Sequence, residues 1–194
     1  MEPPLILSNG KYFVADPAQG KPIKVWRNEK NSLFPSYLKM ECGGEKLCLI
    51  KVDNGITLPP GIFRCDFLMF GEDTLILVEL KLNGRRSWKN IFKALKQLKN
   101  TLYFYAPFFL YKNNQKQRGN VIHFVVAFGK GSGISNSGGE ERRREHKRIR
   151  KLERFFTRTF ATFCWRTSHK FKILLIDTYQ GKSLKIERKK IEIS

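Results

Sequence analysis

Asp66 and the segment Glu79-Leu80-Lys81 have the residue types and spacing that could do chemistry in this chain: a lone acid on one apolar run, then Glu-x-Lys in the next, LILVELKL. Two carboxylates suit a hard divalent cation, and an ammonium beside them suits a scissile phosphate. Side-chain alternation decides whether the three can meet. Successive side chains of a strand point to opposite faces, so Phe63, Cys65, Phe67 and Met69 are expected on one face and Arg64 and Asp66 on the other. Along the next run Ile76, Val78, Leu80 and Leu82 form an apolar set, which leaves Glu79 and Lys81 on the opposite side with Leu75 and Leu77. Gly71-Glu72-Asp73 reads as a tight hairpin turn between the runs. If the apolar sets share a core face, opposed residue numbers must sum to an odd value, which puts Asp66 across from Glu79 or diagonal to it. A slip of one residue would separate the carboxylates.

The surrounding elements follow from changes of period. Residues 1–40 read as an irregular or short-stranded N-terminal lead-in broken by Pro3, Pro4, Pro17, Pro22 and Pro35, with a short helix expected near Leu33 to Met40. Strands are expected at Lys46 to Val52, Ile62 to Phe70 and Thr74 to Leu82, with turns at Asp53-Asn54-Gly55 and Pro59-Pro60-Gly61. From Ser87 the period becomes helical. Trp88, Ile91, Phe92, Leu95, Leu98 and Leu102 form an apolar stripe, with Lys89, Lys93, Lys96, Gln97 and Asn100 on other sides, and the helix is expected to end before Pro107. Asn120 to Phe128 reads as a buried strand, and residues 129–139 as a flexible Gly/Ser loop that lacks the Gly-Lys-Ser/Thr ending of a phosphate-binding loop. A second helix follows, opened by Glu140 and Glu141. Ile149, Leu152, Phe156, Phe160 and Phe163 form its apolar stripe, and arginines and lysines occupy its other faces. Phe171 to Asp177 and Leu184 to Ile193 complete the pattern as strands. The expected architecture is one α/β domain over residues 1–194, a mixed central β-sheet flanked by helices.

Composition bounds the partners. The 194-residue chain is 41% hydrophobic and contains 16 Phe, enough for a well-buried core. Its 37 Lys and Arg against 17 Asp and Glu give a formal net charge of +20, a field that attracts polyanions. Basic residues cluster locally as well as in total, which favours nucleic acid over a merely solubilising surface or an anionic membrane. Cys42, Cys48, Cys65 and Cys164 form no CxxC pair, and His123, His146 and His169 fit no zinc spacing. Cys65 and Cys164 lie in apolar contexts and read as reduced core thiols. The N-terminus lacks the pattern of a secretory signal, and no run approaches the roughly 18 apolar residues of a spanning helix. A cytoplasmic location is the expectation.

Asp66, Glu79 and Lys81 on a hairpin, followed by a helix bearing Gln97, resemble the core of the PD-(D/E)xK nuclease superfamily over about residues 61–106. The resemblance implies a restriction-endonuclease-like α-β-β-β-α-β core, dependence on Mg²⁺ or Mn²⁺, and hydrolysis of phosphodiester bonds. It implies that Asp66, Glu79 and the Leu80 carbonyl ligate the metal, whose Lewis acidity activates water and stabilises the transition state. Lys81 would orient the attacking water, and Gln97 with Lys93 would meet the scissile-phosphate region. Two departures stand out: Cys65 occupies the place of the motif's Pro, and Thr101 that of the Tyr in the Gln-x-x-x-Tyr signature. Many members add an upstream acid; Glu29, Glu41 and Glu45 are the candidates, and Glu41 leads because it follows the expected short helix.

The enzyme so implied acts on DNA in preference to RNA, as an endonuclease in defence, mobile-element or recombination biology. A homodimer is expected by analogy, because two strands need two sites. Lys89, Lys93, Arg142, Arg143, Arg144, Lys147, Arg148 and Lys151 are the residues expected to track the phosphate backbone. The competing readings are an alternating ion pair on an ordinary strand, a non-catalytic nucleic-acid-binding module, and a basic scaffold subunit.

Overall fold

The computed structural model describes residues 4–15, 23–27, 37–44, 46–52, 62–71, 74–111, 121–130, 139–163, 170–187 and 190–194. In chain order these form β1 (Leu5–Leu7), β2 (Gly10–Ala15), β3 (Lys24–Trp26), β4 (Leu38–Cys42), β5 (Leu47–Lys51), β6 (Phe67–Phe70) and β7 (Leu75–Arg85). Then follow α1 (Trp88–Tyr111), β8 (Val121–Lys130), α2 (Gly139–Phe163), β9 (Lys170–Asp177), β10 (Ser183–Glu187) and β11 (Lys190–Ile193). A six-stranded sheet has the order β1-β5-β6-β7-β8-β9, and a five-stranded sheet the order β11-β10-β4-β2-β3.

The larger sheet changes character at β7. β5, β6 and β7 pair antiparallel and need only short connections, whereas β7, β8 and β9 pair parallel, so α1 and α2 serve as the long crossovers that parallel neighbours require. LILVEL and VIHFVVAF are buried on both faces, as central strands of such a sheet must be. One face packs on the smaller sheet: Phe67, Met69, Ile76, Val78, Leu80, Leu82, Val125 and Ala127 share a core with Leu38, Met40, Val14 and Leu184. The other face packs on the helices: Leu68, Leu77, Phe124, Val126 and Phe171 meet Ile91, Ala94, Leu95, Leu98 and Leu102 of α1 and Ile149 of α2. The molecule is therefore α/β, with both helices on one face of the central mixed sheet and a second mixed sheet on the other.

Several expectations change. The lead-in is short-stranded, as one of its two readings has it, but Leu38 to Met40 belong to β4 and not to a helix, because alternate burial of Leu38, Met40 and Cys42 fits them to the smaller sheet. No helix precedes β5 among the described residues. α1 continues past Pro107 to Tyr111, Gly129 lies within β8, and the C-terminal segment is a hairpin of two strands. A Cβ at Gly129 would fall 2.1 Å from the Leu82 carbonyl oxygen, so only glycine permits β8 to approach β7 where the register shifts between Lys81 and Arg85. The turns expected at 53–55 and 59–61 and the remainder of the Gly/Ser loop, 131–138, lie outside the described residues, as does Cys164. No helix among the described residues is long and apolar enough to cross a membrane.

His123 on β8 supplies a test of this core. Burial, with the Lys172 charge beside it, holds its pKa down at about 4 against an ordinary 6.5. The unfolded chain therefore takes up a proton between pH 6.5 and 4 that the folded chain refuses, and stability falls as the pH drops through that window, by about 3 kcal/mol in all. Denaturant titrations of the wild type and His123→Leu are expected to show this loss in the wild type only; parallel pH profiles would contradict it.

Candidate functional site

The site is built where β6 begins. Phe67 opposes Val78 and Phe70 opposes Leu75, so opposed residue numbers sum to 145, an odd value. The ladder ends at Phe67, and Asp66 stands just before it. Asp66 itself is a bend: its N–H donates to the Val78 carbonyl (3.1 Å), and its carbonyl accepts the Val52 N–H (2.9 Å). The Leu80 N–H is donated to Asp66 Oδ2, so the carboxylate takes a backbone hydrogen that a regular ladder would give to a carbonyl.

The bend also resets the alternation. Cys65 lies in the helix-side core and not with Phe67 and Met69, because residues 62–65 precede β6 and are not part of it. The Cys65 N–H donates to Thr101 Oγ1 (2.8 Å), and the Thr101 hydroxyl donates to the Gln97 carbonyl (3.0 Å). Burial pushes the Cys65 thiol well above its usual range; a Thr101 hydrogen bond opposes this, and the charges of Glu79 and Asp66 add to it. Both carboxylates therefore lie close to Cys65. A thiol so placed stays protonated and is no nucleophile.

Glu79 and Lys81 follow Leu77 on the helix-facing side of β7, and Lys81 Nζ donates to Glu79 Oε1. The ammonium also donates to Gln97 Oε1 (3.1 Å), while Gln97 Nε2 donates to the Arg64 carbonyl (2.9 Å). Gln97 thus bridges the lysine to the backbone leading into Asp66, and Thr101, one turn along α1, holds the next residue of the same stretch. Glu79 is 1% exposed and Asp66 7%, so both carboxylates are largely withdrawn from water.

The structure brings Asp66, Glu79, Leu80, Lys81 and Gln97 together and leaves Glu41 apart. Met40 and Cys42 enter the core between the sheets, so alternation turns Glu41 to the outer face of the smaller sheet, where it bridges Lys39 at 3.7 Å. Its expected place as an added acid is corrected accordingly; Glu29 and Glu45 lie outside the described residues. Among the described residues no three His, Cys, Asp or Glu side chains form a metal-holding group. The donor set that does gather is the two carboxylates of Asp66 and Glu79. Its chemistry fits Mg²⁺ or Mn²⁺, which take oxygen ligands and keep several waters.

The expected phosphate-tracking residues are mostly exposed. Lys89 and Lys93 stand on the exposed side of α1, and Arg143, Lys147 and Lys151 on that of α2. Arg144 pairs with Glu140 at 2.5 Å, and the side chain of Arg142 lies outside the described residues. The Arg148 guanidinium sits 5.0 Å from the Trp88 ring centroid, which brings the basic face of α2 to the start of α1.

A second charged cluster was not visible in the sequence. Arg86, just after β7, donates through Nε to Glu145 Oε1 (3.1 Å) and through Nη1 to Asp177 Oδ2 (2.5 Å). Glu145 interrupts the basic run of α2 and Asp177 ends an apolar strand, and these local exceptions were the only sequence signals. Removing the cation would strand two buried carboxylates. Arg86→Leu is expected to cost about 3–5 kcal/mol in chemical denaturation, and a loss below 1 kcal/mol would show the cluster to be dispensable.

Comparison with protein-family models, curated proteins and solved structures found no match.

Proposed function

We propose that this protein is a divalent-metal-dependent nuclease that hydrolyses phosphodiester bonds in DNA, with a site of the PD-(D/E)xK kind. The observation that carries the reading is the convergence of Asp66, Glu79 and Lys81 beneath α1, with Lys81 held between Glu79 and Gln97. The order β5-β6-β7-α1-β8 supports it, three antiparallel strands followed by a helix and a parallel strand, which is the part of the implied core after its first helix.

Asp66, Glu79 and the Leu80 carbonyl would hold Mg²⁺ or Mn²⁺. When bound, the metal would supply Lewis-acid polarisation of a phosphate oxygen and activation of water. The chain's own residues set the geometry. The Leu80 N–H orients the Asp66 carboxylate, and Gln97 holds the Lys81 side chain where its ammonium can hydrogen-bond a water and offset negative charge that develops during attack. Lys89, Lys93 and the exposed cations of α2 would bind the phosphate backbone without reading sequence. That contribution makes binding steeply salt dependent.

With Mn²⁺ and plasmid or linear DNA, the wild type is expected to cleave, and Asp66→Ala and Lys81→Ala to lose at least about 100-fold in rate. Glu41→Ala is expected to cleave normally, because that residue lies on the other sheet. Full cleavage by Asp66→Ala would remove the assigned site. DNA binding with no Mn²⁺-stimulated hydrolysis by the wild type would make the chain a non-catalytic binding module.

A further inference from the structure

Two aromatic residues stand in water, Phe92 of the stripe expected to bury one face of α1 and Phe63 of the stretch before β6. Phe92 is 54% exposed, and Ala94 packs in the core together with Ile91 and Leu95. Phe63, two residues before Cys65, is 52% exposed. Neither ring is isolated. Phe92 lies 5.8 Å from Trp88, Arg148 stands over Trp88 at 5.0 Å, and Lys96 Nζ is 5.6 Å from the centre of Phe63.

Helical spacing arranges these groups in two lanes. Trp88, Phe92 and Lys96 recur every fourth residue, with Phe63 against the last of them, and Lys89, Lys93 and Gln97 run beside them. The second lane ends at Lys81, through the Gln97 hydrogen bond of 3.1 Å. One lane offers ring faces and the other offers cations, and both run up to the candidate site. That is the pairing of stacking surface and charge by which proteins hold unpaired strands.

We propose that this face of α1 binds a single-stranded segment of nucleic acid, with bases against Phe92 and Phe63 and phosphates along Lys89 and Lys93, and that it delivers this unpaired segment to the site. The inference deepens the nuclease reading and rests on it for the delivery step. Duplex DNA fits the face less well for two reasons. Its bases are stacked on one another and present edges to a protein, not faces. Residues four apart on a helix are also about 6 Å apart along its axis, against a step of about 3.4 Å along each strand of a duplex. A strand in register with this face is therefore extended and unstacked. The chain's charge of +20 and the cations seated on the rings disfavour a plain apolar partner.

The test uses fluorescence anisotropy in EDTA, so that binding is read without hydrolysis, with labelled oligo-dT, a fully paired hairpin of equal charge, and heparin as competitor. The wild type is expected to prefer oligo-dT. Phe63→Ala and Phe92→Ala are each expected to weaken oligo-dT binding by at least about fivefold while leaving hairpin binding unchanged, and Phe92→Tyr to restore it. Because both side chains are half exposed, the alanine variants should keep the wild-type melting temperature. Equal losses on both nucleic acids, no loss on either, tighter binding of the hairpin, or displacement by heparin alike in wild type and variants would each overturn the proposal. Oligo-dT binding without Mn²⁺-dependent cleavage would leave the docking face standing and sink the nuclease reading. Cleavage of duplex that is indifferent to Phe63 and Phe92 would do the reverse.

Discussion

A carboxylate that is 1% exposed on a central strand must be met by positive charge and hydrogen bonds, and the arrangement around Glu79 follows from that requirement. Lys81 supplies the charge from two residues further along the same face of β7. A flexible four-carbon side chain would not stay there on Coulomb attraction alone, and Gln97 fixes it from α1. Gln97 in turn must be fixed, and its amide nitrogen is spent on the Arg64 carbonyl. Thr101 repeats the attachment at Cys65, one turn further along the helix. The helix, the central strand and the bend at Asp66 are thus joined through polar groups that include the candidate site, so packing of α1 and geometry of the site are one constraint.

The two faces of the central sheet divide the work. Toward the smaller sheet, β6 and β7 present apolar side chains alone, which fixes their register, since a slip by one residue would bury Glu79 and Lys81 between the sheets. Toward the helices the side chains grade along the parallel strands. Leu77, Phe124 and Ile173 form an apolar row, and two rows further on Lys81, Phe128 and Asp177 lie abreast. Charged groups therefore gather at the carboxyl ends of the parallel strands, where open α/β sheets bind ligands. The register shift in β7 and the close approach at Gly129 fall at the same level, ending regular pairing just beyond Lys81.

How much of this was legible depended on how local each determinant was. Alternation within LILVELKL, with the matching apolar set of Phe67 and Met69, sufficed for the antiparallel register of β6 and β7. The same alternation failed for Cys65, because the chain bends at Asp66 and period two holds only within a strand. Glu41 was misplaced because its sheet is set by pairing with β2 and β10, and the latter lies more than 140 residues away in sequence. Arg86, Glu145 and Asp177 stayed hidden for the same reason, with separations of 59 and 91 residues between the partners. Phe92 matched a helical apolar period, and period does not state how wide a stripe the core will cover.

Two clusters of two carboxylates and one cation now lie on the same face of one sheet, and their chemistry separates them. In the first, a planar guanidinium reaches both acids at once, bonding Glu145 and Asp177 from different edges and tying α2 to the end of β9. It has the form of a clamp, with the cation shared between its anions. In the second, the ammonium is held between the Glu79 carboxylate and the neutral Gln97 amide, and a strand N–H orients Asp66. Burying carboxylates costs stability unless hydrogen bonds compensate, and here those bonds come from three places at once, joining β7, the bend at Asp66 and α1.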